Sequence, residues 1–191
     1  LIVQRQAAAL TGFGLRRISQ DVQALQMPMM FRSYDELDYV RQRIAPKLEA
    51  TLERQGFKVL NWAYAGWVKF FSTSAIVTPA NLRSQKIFTW AGDTCSVDAW
   101  RDSGYQPVPL AATDISTGLQ TGLITALPTT PIAGLSYQWF SQTPHMTDLK
   151  WAPLIGATVI STSAWQKIPE ALKPKLLQAA RNAGDLLQPR V

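Results

Sequence analysis

The chain has little of what catalysis or metal binding requires. Its 191 residues include one cysteine, Cys95, and one histidine, His145. A single cysteine excludes an internal disulfide and any zinc or iron–sulfur site built on several cysteines. No phosphate-binding glycine loop, nucleophile elbow or zinc motif is present. We therefore expect no enzyme, no cofactor and no metal site, with Cys95 a buried or half-buried thiol and His145 a solvated loop residue.

Long hydrophobic runs and clustered charge are missing too. Hydrophobic residues make up 47% of the chain and charged residues 17%, which is a folded rather than a disordered composition. No apolar run approaches the roughly 18 residues of a membrane-spanning helix. The formal net charge is +6, but the basic residues are scattered, without the interleaved aromatic rings of a nucleic-acid site. We expect no nucleic acid as a partner.

What the sequence does contain is an alternation of strand and helix patterns. Strands are predicted at 6–10, 57–62, 85–90, 107–110, 123–127 and 154–161. Helices are predicted to begin at Ser33, at Asp93 or Thr94, at Thr113, at Ser163 and at Pro169. Gly12 and Gly14 predict a turn, and a loop is predicted around Gly66. This alternation is typical of a layered α/β protein.

The helix from Ser33 has the clearest pattern. Glu36 completes a capping box, and an apolar stripe at spacings of three and four follows from Leu37 to Leu52. Pro46 predicts a kink and Gly56 the end of this helix. In the last predicted helix, Leu172, Leu176 and Ala180 are expected to face the core.

Aromatic residues are abundant, with seven tryptophans. Trp67, Phe70 and Phe71 fall in the predicted loop, while Phe88 and Trp90 end a predicted strand. Ligands of open α/β sheets bind beyond the carboxyl ends of strands, in pockets that are mostly apolar. Two interpretations stay open: these rings line a ligand site, or they fill the core.

Five motifs in register resemble the solute-binding proteins of TRAP (tripartite ATP-independent periplasmic) transporters. One combines 107–110, 114–115 and 118–124, and the others are 7–12, 25–31, 78–87 and 161–169. The resemblance implies a two-lobed α/β fold like that of type II periplasmic binding proteins, whose lobes close around a ligand. It implies one lobe of residues 1–64 and 151–191 and a second of residues 65–150. Because family members are longer, we expect the chain to lack N-terminal and C-terminal segments.

The departures from the family pattern bear on the ligand. Phe88 and Val68 stand where most members have arginines for a substrate carboxylate, Thr129 replaces an asparagine, and Thr125 with Ala126 replaces Asp-Gly. An unpaired buried carboxylate costs several kcal/mol, so we expect a less acidic, partly apolar ligand. The candidate ligand-binding residues are Thr11, Trp67, Val68, Phe88, Trp90, Asp93 and Thr129. For Asp93, ligand contact and helix capping stay equally open.

The predicted function is capture of a small molecule for the membrane subunits of a TRAP-type secondary transporter. A periplasmic location and a monomer are expected. The alternative is a ligand-sensing module coupled to a signalling partner, which genomic adjacency to a kinase would favour. The sequence does not identify the ligand, nor whether a metal ion bridges it.

Overall fold

The computed structural model describes residues 6–186. The strands are β1 (Ala7–Thr11), β2 (Phe57–Ser72), β3 (Lys86–Trp90), β4 (Gln106–Leu110), β5 (Ala126–Thr129), β6 (His145–Met146) and β7 (Ala152–Ser161). The α-helices are α1 (Gly12–Arg16), α2 (Tyr34–Arg54), α3 (Pro79–Arg83), α4 (Thr94–Asp102), α5 (Ile115–Gln120), α6 (Pro131–Ser136), α7 (Thr162–Gln166) and α8 (Lys173–Leu186). Short 3-10 helices lie at Gln20–Gln26, Ala112–Asp114, Trp139–Ser141 and Glu170–Leu172.

The chain divides into two compact units. Unit 1 comprises Leu1–Gly66 and Ala152–Val191, and unit 2 comprises Trp67–Trp151. These boundaries lie within two residues of those that the family resemblance implies. Between residues 6 and 186, no helix has both the length and the apolar character needed to cross a membrane.

Unit 1 is built on β7, which pairs antiparallel with β1 from Ala7 opposite Ile160 to Thr11 opposite Gly156. Its core lies between this sheet and α2, where Leu15, Leu52 and Val159 are fully buried. The strand predicted at 6–10 is present one residue later, as Ala7–Thr11. β1 alternates exposed and half-buried residues, because only one of its faces is covered.

Helix α2 confirms its sequence pattern. The Ser33 hydroxyl accepts a hydrogen bond from the Glu36 amide at 3.2 Å. The Glu36 carboxylate, however, accepts from the Arg32 amide (2.8 Å) rather than from Ser33. The helix continues through Pro46 to Arg54, and Gly56 follows with a φ of 89°. Left-handed backbone of this kind favours glycine, which explains why the helix ends there.

Two glycine-based predictions are wrong. Gly12 begins helix α1 rather than a turn. A Cβ at Gly12 would lie 1.9 Å from Gln26 Oε1, and the Gln26 amide donates to the Ile155 carbonyl at 3.2 Å. Gly66, with a φ of 106°, does not open a loop but lies inside the 16-residue strand β2. Tertiary packing and strand pairing override both local signals.

Two helix starts and one core-facing residue also differ from the prediction. Ser161, not Ser163, caps α7, since its hydroxyl accepts from the Ala164 amide at 3.2 Å. Thr113 lies inside a 3-10 helix, and α5 begins at Ile115. Near the last helix Leu172 is exposed, and Leu177 packs on the core in its place together with Ala180. The predicted stripe therefore does not include Leu172.

Unit 2 is a mixed sheet with helices on both faces. β3 runs parallel to β4 and to β5, while β2 pairs antiparallel with β5 and with β6. Neighbouring residues of β3 point to opposite faces: Ile87 joins a core cluster with Phe70 and Leu82, and Phe88 joins another with Ile115 and Trp139. Cys95 is exposed on α4, so the prediction of a buried or half-buried thiol is wrong.

Candidate functional site

The carboxyl ends of three parallel strands meet at one edge of unit 2. Trp90 ends β3 opposite Leu110, the last residue of β4, and Thr129 ends β5. Because β2 is antiparallel to β5, with Lys69 opposite Thr129, its residues Trp67 and Val68 lie at this same edge. Ligands of open α/β sheets bind at such an edge. We refer to it as the carboxyl edge.

Trp90 is the most accessible aromatic ring that the sequence placed there. It is 39% exposed, and its ring meets the Phe88 ring edge to face at 5.1 Å between centroids. Phe88 itself is 2% exposed and is packed among Leu119, Leu127 and Trp139. The Phe88 ring therefore packs against the Trp90 ring on the core side and belongs to the core of unit 2.

Asp93 follows Trp90 and caps helix α4. One carboxylate oxygen accepts a hydrogen bond from the Ser96 amide at 3.3 Å. The capping role is confirmed, and a ligand contact stays a prediction. The exposed thiol of Cys95 lies two residues further, in the first turn of α4.

On the β2 side of the edge, Trp67 is buried beneath a lysine. The ring is 9% exposed, and the Lys150 ammonium lies 5.4 Å from its centroid. A cation within about 6 Å of a tryptophan ring is attracted to the electron-rich face. Val68 is half-buried, and its carbonyl accepts from the Trp151 amide at 2.9 Å.

A second lysine of this region is engaged in an ion pair. Lys69 Nζ donates to Asp148 Oδ1 at 2.5 Å. The hydrogen bond and the charge of Lys69 hold the pKa of the Asp148 carboxyl below its usual value. The Asp148 side chain is almost fully exposed, so the pair contributes little to stability.

Threonine hydroxyls line the strand ends. Thr129 is half-buried at the end of β5. Thr130 is buried and caps α6, its hydroxyl accepting from the Ala133 amide at 3.4 Å. The Thr89 hydroxyl is buried and has no hydrogen-bond partner within residues 6–186.

The sequence identified six residues that the structure brings to unit 2: Trp67, Val68, Phe88, Trp90, Asp93 and Thr129. Thr11, the seventh, is exposed at the end of β1 in unit 1. Sequence reasoning missed Lys150 and Thr89. Alternation could have identified Thr89 as facing away from Phe88 and Trp90. Nothing local connects Lys150 to Trp67, because their contact depends on pairing across the sheet.

Metal chemistry finds no support in the side chains. In the part of the chain that the structure describes, no group of three or more His, Cys, Asp or Glu side chains could hold a metal ion. The edge instead combines an exposed ring, hydroxyl groups, the ammonium of Lys150, the carboxylate of Asp93 and the Lys69–Asp148 ion pair. Such a set can bind a small polar molecule that has an apolar face.

Comparison with known proteins decides the family. The profile described as bacterial extracellular solute-binding protein, family 7, matches residues 4–190. The chain belongs to this family. This match confirms the family that the sequence resembles. Because it is a family of extracellular solute-binding proteins, the expected extracytoplasmic location and the expected binding role, rather than an enzymatic one, are confirmed as well.

Individual members of the family show how far the likeness extends. The chain is 26% identical over 175 residues to the 2,3-diketo-L-gulonate-binding periplasmic protein YiaO of Escherichia coli K12, covering 88% of this chain and 52% of that protein. Among solved structures it resembles the TRAP periplasmic solute binding protein of Xanthobacter autotrophicus Py2 with bound β-D-galacturonate, at a TM-score of 0.89 and 16% identity, covering 97% of this chain and 62% of that one.

A third relative is the TRAP periplasmic solute binding protein of Roseobacter denitrificans OCh 114 with bound L-galactonate. Its TM-score is 0.86 at 20% identity, covering 98% of this chain and 62% of that one. Identities this low show the fold alone, and the predicted α/β periplasmic-binding-protein fold is confirmed. The chain spans about half the length of the curated relatives that it matches.

Proposed function

We propose that this protein captures a small solute for the membrane subunits of a TRAP-type transporter. The ligand is less acidic than a dicarboxylate and carries at most one carboxylate next to an apolar face. The observation that carries the proposal is the carboxyl edge of unit 2, where Trp90 is half-exposed and no arginine stands at position 68 or 88. Family membership supports the transport role.

The chemistry of the edge supports a sugar-like ligand. A pyranose ring or an open-chain polyol has C–H faces that stack on an indole, and its hydroxyl groups suit Thr129 and Asp93. Three family relatives support this class, since their names give 2,3-diketo-L-gulonate, β-D-galacturonate and L-galactonate as ligands. Each of these molecules carries a single carboxylate and several oxygen functions.

The buried Phe88 argues against a dicarboxylate. A phenyl ring cannot pair with a carboxylate, and the surrounding side chains of its cluster are apolar. A second carboxylate bound next to Phe88 would be left unpaired, at a cost of several kcal/mol. The expected order of affinity is therefore galacturonate first and galactose next, with succinate weakest.

Calorimetric titration with these three compounds tests the ligand class, and native mass spectrometry of the purified protein searches for a co-purified small molecule. Binding of succinate as tight as that of galacturonate would show that the aromatic site is wrongly assigned.

The role of Trp90 is tested by Trp90→Leu. Losing the exposed ring should weaken binding of D-galacturonate about tenfold, the scale of one good stacking contact. Phe140→Leu is the matched control, because Phe140 is an exposed aromatic residue of unit 2 that lies in the 3-10 helix Trp139–Ser141 and not at a strand end. Equal losses in both variants would contradict the assignment.

A further inference from the structure

A mostly buried lysine at the carboxyl edge is held by an almost fully exposed carboxylate. The Lys69 side chain is 16% exposed and the Asp148 side chain 99%, and Lys69 Nζ donates to Asp148 Oδ1 at 2.5 Å. A lysine buried to this extent needs a counter-ion. Asp148, in contrast, keeps its contact with water and gains little from the pair. Exchange of Asp148 for another carboxylate therefore costs the protein little.

The backbone next to Asp148 is fixed on β2. The Thr147 amide donates to the Phe70 carbonyl at 2.9 Å, directly beside Lys69. The hydrogen bond and the charge of Lys69 lower the pKa of the Asp148 carboxyl, and the charge of Lys150 adds to this effect. Two lysines on the β2 side of the edge thus act on one carboxylate, which leaves an excess of one positive charge there.

Strand pairing shows which face of the sheet Lys69 shares. Lys69 is opposite Thr129 in the antiparallel pair of β2 and β5, and side chains opposite each other in such a pair lie on the same face. Leu127, two residues before Thr129, shares this face and packs with Phe88. Trp90, two residues after Phe88, contacts the Phe88 ring. Lys69, Thr129 and Trp90 therefore lie on one face at the carboxyl edge.

The same three residues are level with one another across three neighbouring strands, β2, β5 and β3. Ile87 is opposite Ala126 in the parallel pair of β3 and β5, so Trp90 is level with Thr129, three residues further along each strand. Neighbouring strands are about 4.8 Å apart, which separates the strands of Lys69 and Trp90 by about 10 Å. A sugar acid has the length to stack its ring on Trp90 and extend its carboxylate to Lys69.

We infer that Lys69 is the cation that recognises the single carboxylate of the ligand, and that Asp148 is a resident counter-ion which this carboxylate displaces. The inference rests on the proposed function. Before binding, Asp148 neutralises the ammonium of Lys69. On binding, the carboxylate of the ligand accepts the hydrogen bond from Lys69, and Asp148 is left in water. Asp148 thereby competes with the ligand for one lysine.

Calorimetry with D-galacturonate and its uncharged methyl ester tests this exchange. In Lys69→Gln the affinity for the acid should fall about tenfold, the scale of one charge-assisted hydrogen bond, while the affinity for the ester stays within about twofold. In Asp148→Asn the affinity for the acid should rise by up to about fivefold, the scale of an exposed ion pair, because the competing carboxylate is gone. Asp98→Asn, which breaks the exposed pair with Arg101 on α4, is the matched control and should change neither affinity.

The double variant shows whether the two residues act on the same carboxylate. In the Lys69→Gln background, Asp148→Asn should no longer raise the affinity for the acid. An equal rise in both backgrounds, no rise in Asp148→Asn alone, or a larger loss in Lys150→Gln than in Lys69→Gln would overturn the inference. The same holds if wild type binds acid and ester equally, and in all these cases the proposed function stands. If wild type binds neither compound, the proposed ligand class fails, and the role of Lys69 fails with it.

Discussion

At the level of single residues, two buried threonines of unit 2 differ in whether the side-chain hydroxyl is hydrogen-bonded. Thr130 is 1% exposed and its hydroxyl caps α6. Thr89 is 6% exposed, yet its hydroxyl lacks a partner within residues 6–186. A buried hydroxyl without a hydrogen bond costs about 1–3 kcal/mol, whereas a cap contributes about 1 kcal/mol.

Replacement by valine, which has nearly the same shape, should therefore affect the two sites differently. Thr89→Val should leave the free energy of unfolding unchanged or raise it by about 1 kcal/mol, and Thr130→Val should lower it by about 1 kcal/mol. Urea unfolding measures both. A loss of more than about 1 kcal/mol in Thr89→Val would mean that this hydroxyl is hydrogen-bonded, for example to a buried water.

A buried tyrosine in unit 1 joins β2 to the first turns of α2. The Tyr64 hydroxyl donates to the Asp38 carboxylate and accepts from Arg41 Nε at 2.6 Å, and Arg41 Nη2 donates to Asp38 at 2.8 Å. Burial and the neighbouring Asp38 raise the pKa of Tyr64 well above its ordinary value. The folded protein therefore keeps this phenol protonated where the unfolded chain would lose the proton.

Tyr64→Phe should lower the stability by about 2 kcal/mol at pH 8, because hydrogen bonds to charged groups are lost. Since the folded pKa is the higher one, the stabilisation is complete below the ordinary tyrosine pKa of about 10 and declines as the pH rises above it. The stability difference between wild type and Tyr64→Phe should shrink between pH 9 and 11. Tyr39→Phe, at an exposed position, should show no such trend; a constant difference for Tyr64→Phe would contradict this account.

At the level of secondary structure, local signals were sufficient where capping and periodicity agreed. Helix α2 follows from Ser33, its apolar stripe and Gly56, and β3 followed by the Asp93 cap was predicted nearly to the residue. Strand β2 was predicted at less than half its length because Gly66 resembles a break. Its continuation depends on pairing with β5 and β6, which no local pattern encodes.

The cap of α7 shows how two similar local signals compete. Ser161 and Ser163 both precede the helix pattern, but β7 ends at Ser161, which leaves its hydroxyl to accept from Ala164. Ser161→Ala should therefore cost about 1 kcal/mol in urea unfolding, and Ser163→Ala only a few tenths. The reverse order would indicate that the helix begins two residues later.

The candidate site was predictable to the same extent as the strands that carry it. Trp90 and Asp93 were identified because strand ends and helix starts are visible in the sequence, whereas Thr129 was identified from the family pattern. Phe88 was expected to face a ligand, but alternation and burial assign it to the core cluster beneath Trp90. Lys150 and Trp67 are 83 positions apart, and only the antiparallel course of residues 147–151 along β2 brings them together.

At the level of the whole molecule, the account depends on where the ligand binds. The chain forms two units, and family membership covers nearly all of it. The proposal locates ligand recognition at the carboxyl edge of unit 2. A fluorescent reporter close to that edge can therefore test the location, whatever the orientation of the bound ligand.

Cys95 provides that reporter, because it is the one cysteine of the sequence, is exposed, and lies in the first turn of α4 after Trp90. An environment-sensitive fluorophore on Cys95 should respond to D-galacturonate with a saturating signal that Trp90→Leu weakens. The same fluorophore on Ser84→Cys in a Cys95→Ser background, before the amino end of β3, should not respond. A silent label at Cys95 together with a saturating response at position 84 would contradict binding at the carboxyl edge.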